Sequence, residues 1–133
     1  MNRLIFFILV IVMYSGLIEA CKKDRVEIHN QLGPGSILTF RCQSNENNLG
    51  INQLNFNAAP YIIQFHERVG GGTRWNCHFM YGNETKYVQD IVVYEGTTFF
   101  PRCGQLRSWA AKFDGIYMTK KANQPYDKVV RWD

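Results

Sequence analysis

Apolar and polar positions alternate with a period of two along most of this chain. No stretch of a dozen residues keeps the i, i+3, i+4, i+7 stripe of an amphipathic helix. Neighbouring side chains of a strand point to opposite faces, so this alternation predicts half-buried strands. Val26 and Ile28 alternate with Arg25, Glu27 and His29. After Leu32-Gly33-Pro34-Gly35, whose composition suits a tight reversal, Leu38, Phe40 and Cys42 alternate with Thr39 and Arg41. The segment Gln43-Ser44-Asn45-Glu46-Asn47-Asn48 is too polar to bury and predicts an exposed loop. A weaker strand follows over residues 49–56. Tyr61, Ile63 and Phe65 then alternate with Ile62, Gln64 and His66. Gly70-Gly71-Gly72 marks a reversal into Thr73, Trp75, Cys77 and Phe79, the strongest alternating set. A turn at Gly82-Asn83 leads into residues 87–94, rich in β-branched and aromatic side chains, which Gly96 ends. Trp109, Ala111 and Phe113 share one face ahead of Asp114-Gly115, a two-residue turn, and Ile116 and Met118 lie inside the returning strand. Seven or eight short strands without a helical crossover predict an all-β fold, an antiparallel β-sandwich of two packed sheets.

The first twenty residues break the pattern. Arg3 precedes an unbroken apolar run over residues 4–13, then Tyr14 and Ser15-Gly16, and the segment closes on Ile18-Glu19-Ala20. That is the layout of a signal peptide, residues 1–20, with cleavage expected after Ala20. The run is shorter than the roughly 20 apolar residues that cross a hydrocarbon layer, so no membrane insertion is expected. Residues 21–133 then form one exported domain whose core is of modest size, and cross-links would help it.

All four cysteines, Cys21, Cys42, Cys77 and Cys103, follow the expected cleavage point, which reads as two disulfides formed in an oxidising compartment. They lack the close ligand pairs of a structural zinc site. The count alone leaves three pairings open. Cys42 is in phase with Phe40, and Cys77 with Trp75 and Phe79, so both point to the core and are natural partners; Cys21 and Cys103 remain for each other.

In order and spacing, a set of segments resembles the plant self-incompatibility S-protein homologue family. The set runs Val26-x-Ile28-x-Asn30-x-Leu32-Gly33-Pro34-Gly35, Leu38-Thr39-x-x-Cys42-x-Ser44, Asn48-Leu49-Gly50, Phe65, Thr73-x-Trp75-x-Cys77-x-Phe79, Tyr87-x-x-x-Ile91, Cys103, Trp109 and Asp114-Gly115-Ile116-Tyr117. The resemblance covers nearly all of residues 21–133. It implies a secreted β-sandwich that serves as a ligand in cell-to-cell signalling, as the poppy pistil determinant does. Arg41 stands where the family commonly has histidine, and Cys103 lacks the neighbouring cysteines often found near the tryptophan.

Candidate chemistry is sparse. His29, His66 and His78 are scattered among strand-like runs, and no ribonuclease-like pairing of histidines with a lysine occurs. Glu67, Asp90, Glu95 and Asp114 fall at strand ends or turns, where carboxylates are usually solvated. No catalytic, cofactor or metal site is expected. Trp75 and Trp109 are expected in the core, with Tyr61, Tyr81 and Tyr94 as surface aromatics. Asn83-Glu84-Thr85 is an acceptor pattern for N-linked glycan. The chain carries a net charge of +4, with a basic excess toward both ends of the exported part: Lys22, Lys23 and Arg25, then Lys112, Lys120, Lys121, Lys128 and Arg131. Such a surface suits an acidic partner outside the cell, and nucleic acid is not expected for an exported domain. The reading is a secreted ligand that presents Gln43, Asn45, Glu46, Asn47 and Asn48, together with Glu84 and Lys86, to a cell-surface receptor protein. Alternatives are a module that binds acidic cell-wall polysaccharide and a secreted defence protein.

Overall fold

The computed structural model describes residues 21–133. The segment read as a signal peptide lies outside the described residues. Nine strands follow in order: β1 (Asp24–Gln31), β2 (Ile37–Ser44), β3 (Asn48–Asn55), β4 (Tyr61–Phe65), β5 (Thr73–Tyr81), β6 (Tyr87–Gly96), β7 (Leu106–Lys112), β8 (Gly115–Thr119) and β9 (Asp127–Val130). They form a five-stranded sheet, β4-β1-β7-β8-β9, and a four-stranded sheet, β3-β2-β5-β6. The inner positions read from alternation meet between the sheets: Val26, Ile28, Ile63, Trp109 and Ile116 on one side, Leu38, Phe40, Trp75 and Phe79 on the other, all buried. Each large side chain placed there removes about 1.5–3 kcal/mol worth of apolar surface from water. Among the described residues no helix is long and apolar enough to cross a membrane.

Cys42 pairs with Cys77 across the β2–β5 ladder, where the two are register partners, and Cys21 bonds to Cys103. Asn30 is the polar organiser of the inner face. Its side-chain amide donates to Leu54 O at 2.8 Å and its oxygen accepts Leu32 N–H at 2.9 Å, so one buried side chain ties β1 to β3 and closes the reversal into β2. A buried amide with its bonds made costs little, and its fixed geometry sets the turn.

The structure departs from the alternation in five places. The sandwich is not wholly antiparallel, because β1 and β7 pair in parallel, Arg25 opposite Leu106 through Gln31 opposite Lys112. The chain that separates them builds the entire four-stranded sheet, and so supplies the long crossover that parallel neighbours need. A ninth strand, β9, follows β8; its own sequence barely alternates, and it is defined by pairing to β8. Gln43 and Ser44 complete β2 and Asn48 opens β3, so the polar loop shrinks to residues 45–47. Phe113 lies outside, 74% exposed, because Lys112 pairs with Gly115 and the two-residue turn is Phe113-Asp114. Finally, Tyr94 is only 2% exposed. The β5–β6 register slips between Trp75 opposite Tyr94 and Asn76 opposite Val92, leaving Val93 as an extra residue. That bulge turns two successive side chains, Val93 and Tyr94, into the core, which strict alternation forbids. The indole N–H of Trp109 donates to the carbonyl of Val93 at 3.0 Å and satisfies the bulged backbone.

Candidate recognition site

The topology sorts the connections to two opposite ends. Residues 45–47, 66–72, 97–105 and 120–126, with residues 21–23, lie at one end. Residues 32–36, 56–60, 82–86 and 113–114 lie at the other. The two candidate recognition segments therefore stand apart. Asn45, Glu46 and Asn47 are at the first end with Gln43 and Asn48 beside them on the strands, whereas Asn83, Glu84 and Lys86 are at the second.

The first end is built on an ion pair between buried Glu67 and partly exposed Arg102. The Arg102 guanidinium donates to Glu67 at 3.1 Å from Nε and at 2.8 Å from Nη2, and the Arg102 backbone N–H donates to Oε1 at 2.7 Å. The Tyr94 hydroxyl donates to Oε2 at 2.5 Å. Burial pushes the Glu67 carboxyl up, but the hydrogen bonds from Arg102 and Tyr94 outweigh it and hold it below the usual carboxylate range. The same burial, reinforced by the bond to Glu67, raises the Tyr94 phenol well above its ordinary value. Gly96 passes so close that a Cβ there would lie 2.7 Å from Glu67 Oε2. Beside this cluster Asp24 is fully buried. Its Oδ1 accepts Gln105 N–H at 2.7 Å while Oδ2 has no partner among the described residues, and burial raises its carboxyl. These contacts clamp residues 66–72 and 97–105 together, and Gly70 N–H adds a 2.6 Å bond to Phe99 O.

On this base sit three apolar side chains that reach into solvent: Val69 at 74%, Phe99 at 64% and Phe100 at 77% exposure. The two phenyl rings meet edge to face with centroids 5.0 Å apart. Neighbouring polar groups belong to residues 45–47 and Arg68; Asn45 donates to Gly72 O at 3.1 Å, and Arg68 lies 3.8 Å from Glu46. Sequence reasoning places Glu67 among the solvated carboxylates, whereas Arg102 and Tyr94 pair with it and bury it; Arg102 and this apolar tip it does not single out. A signal for the tip was present, since Phe99-Phe100-Pro101 places two adjacent aromatics beside a proline, and alternation buries at most one of such a pair.

The remaining candidates are dispersed. Asn83 is exposed at the start of a short 3-10 turn in which Glu84 and Thr85 have φ of 56° and 52°. His78 pairs with Asp90 at 2.5 Å on the outer face of the four-stranded sheet, and His66 is exposed beyond β4. His29 Nε2 lies 3.1 Å from Ser108 Oγ, and the same nitrogen faces Glu27 at 3.5 Å. A nucleophile-activating histidine needs its orienting carboxylate on the other ring nitrogen, and the Ser108 hydroxyl is buried and engaged by Tyr126 OH at 2.6 Å. Among the described residues no three His, Cys, Asp or Glu side chains converge as a metal site.

A family model described as plant self-incompatibility protein S1 matches residues 25–132. The chain belongs to this family. Relatives in Arabidopsis thaliana include S-protein homolog 25, 51% identical over 100% of this chain and 98% of its own length, and S-protein homolog 30, 45% identical over 94% and 98%. A solved structure of self-incompatibility protein homologues superposes with a TM-score of 0.70 at 32% identity, covering 86% of this chain and 97% of its own. It is described as representing small, highly stable, secreted proteins from plants. This S-protein homologue is accordingly a small secreted β-sandwich. Its inner-face cysteines, Trp75 and Trp109 serve the frame, while the tip lies on connections that the frame leaves free to vary.

Proposed function

We propose that this S-protein homologue is a ligand recognised by a protein at a cell surface, and that the contact is made by Val69, Phe99 and Phe100 with residues 45–47 beside them. The observation that carries the reading is the exposed apolar tip on a base tied by Glu67 and Arg102. Aromatic side chains, with two rotatable bonds each, lose little freedom on binding, and a few such anchors dominate protein interfaces. A solvated loop with no partner would gain nothing from exposing them. A glycan on Asn83 would stand at the opposite end and leave the tip clear. The pairing of Glu67 with Arg102 keeps the tip in place without contributing to contact itself.

The test is saturable binding of labelled, oxidised protein to intact plant cells. Replacing Phe99 and Phe100 by alanine should leave thermal unfolding unchanged and weaken binding by about 2 kcal/mol or more, some thirtyfold. Unchanged binding by that variant would remove the tip from the interface and this reading with it.

A further inference from the structure

A second feature lies on the outer face of the five-stranded sheet, with walls built by connections of the same end as the tip. It is a groove of about 470 Å3 whose floor is Glu27 and His29 of β1 with Ser108 of β7. One wall is formed by residues 22–23 and 104–106, which the Cys21–Cys103 bridge and a 2.9 Å bond from Gly104 N–H to Lys22 O hold together. The opposite wall is the β8–β9 connection. It is pinned to the floor by the 2.6 Å contact of Tyr126 OH with Ser108 Oγ and by Tyr126 packing edge-on against His29. Floor and walls are thus set before any ligand arrives.

The electrostatics are one-sided. Glu27 is the single acidic side chain lining the groove, and it is engaged by Arg25 and faced by His29. Among the described residues Lys22, Lys23 and Lys121 have no carboxylate partner. Three unneutralised ammonium groups therefore surround a trough that also offers the amides of Gln105 and Asn123 and the hydroxyl of Tyr126. Leu106 and Ala122 are the aliphatic side chains that line it.

We propose that this groove binds an acidic oligosaccharide, a chain of carboxylate-bearing sugars. Lys22, Lys23 and Lys121 pair with its carboxylates, and Gln105, Asn123 and Tyr126 bond to its ring hydroxyls. Lysine suits the role because each ammonium is a point charge on a flexible stem that can follow irregularly spaced carboxylates. Gln105, Asn123 and Tyr126 each donate and accept hydrogen bonds, as the ring hydroxyls of a sugar do. The site shares no lining residue with the apolar tip, so the two engage different side chains.

Calorimetric titration of the oxidised protein with oligomers of galacturonic acid tests the assignment. Binding is expected at low salt, weakening as salt is added. The variant K22Q/K23Q/K121Q, altered only at exposed positions, should unfold at the parent temperature and bind about tenfold or more weakly. The alanine variant at Phe99 and Phe100 should bind the oligomer as the parent does, which separates this site from the tip. Absence of binding, unchanged affinity in the lysine variant, or equal affinity for the methyl-esterified oligomer or for polyglutamate would each overturn it.

Discussion

Glu67 and Asp24 show how two buried carboxylates near one another take opposite electrostatic roles. Glu67 is charged and compensated, its carboxyl held below its ordinary 4.5, so the stability it contributes is present above that value and is lost as pH falls through the lower folded value. Asp24 has one oxygen without a partner and a carboxyl raised from 3.8, so acidification relieves a penalty there. Replacing Glu67 by glutamine should therefore destabilise the protein by about 2–3 kcal/mol at neutral pH. The deficit should shrink toward pH 3, as the parent loses its own ion pair. Urea unfolding of both proteins across that range checks the sign, and a constant gap would rule out the charged pair as its source. Neither carboxylate was legible in the sequence. Glu67 follows a strand in a polar stretch and looks solvated until residue 102, far along the chain, is brought over it.

For strands, alternation was a good guide wherever one face is buried and the ladder is regular. The inner positions of β1, β2 and β5 could be read directly, and with them the phase that turns Cys42 and Cys77 toward each other. It failed where pairing, not the strand's own pattern, decides. The bulge at Val93 inverts the phase of Tyr94, and β9 exists only because β8 offers it an edge. That edge depends on Gly115, where a Cβ would lie 2.4 Å from the carbonyl oxygen of Val130. Gly115→Ala is expected to push β9 away and to release Trp132, whose indole N–H donates to Lys112 O at 2.6 Å. Hydrogen exchange should then rise across Asp127–Val130 while β1 and β7 stay protected. Loss of protection throughout the molecule would instead make β9 part of the cooperative core.

Across the whole molecule, the family and the sandwich were legible from segments spread along residues 26–117, because those residues make the frame. The recognition surface was not. Which loops share an end depends on strand order, and that order sends residues 45–47 and 82–86 to opposite poles. The parallel pairing of β1 with β7 also bears on how the chain matures. During synthesis, the first strand must wait for the seventh before its central neighbour exists, and Cys21 must wait across a separation of 82 residues, against 35 for Cys42 and Cys77. Nascent chains trapped with an alkylating agent should accordingly carry the inner bridge first, and abundant early Cys21–Cys103 species would contradict that order. A newborn chain can thus have the four-stranded sheet and the β1–β4 pair in place while the other side of β1 remains an open edge, until the last third of the polypeptide arrives to cover it.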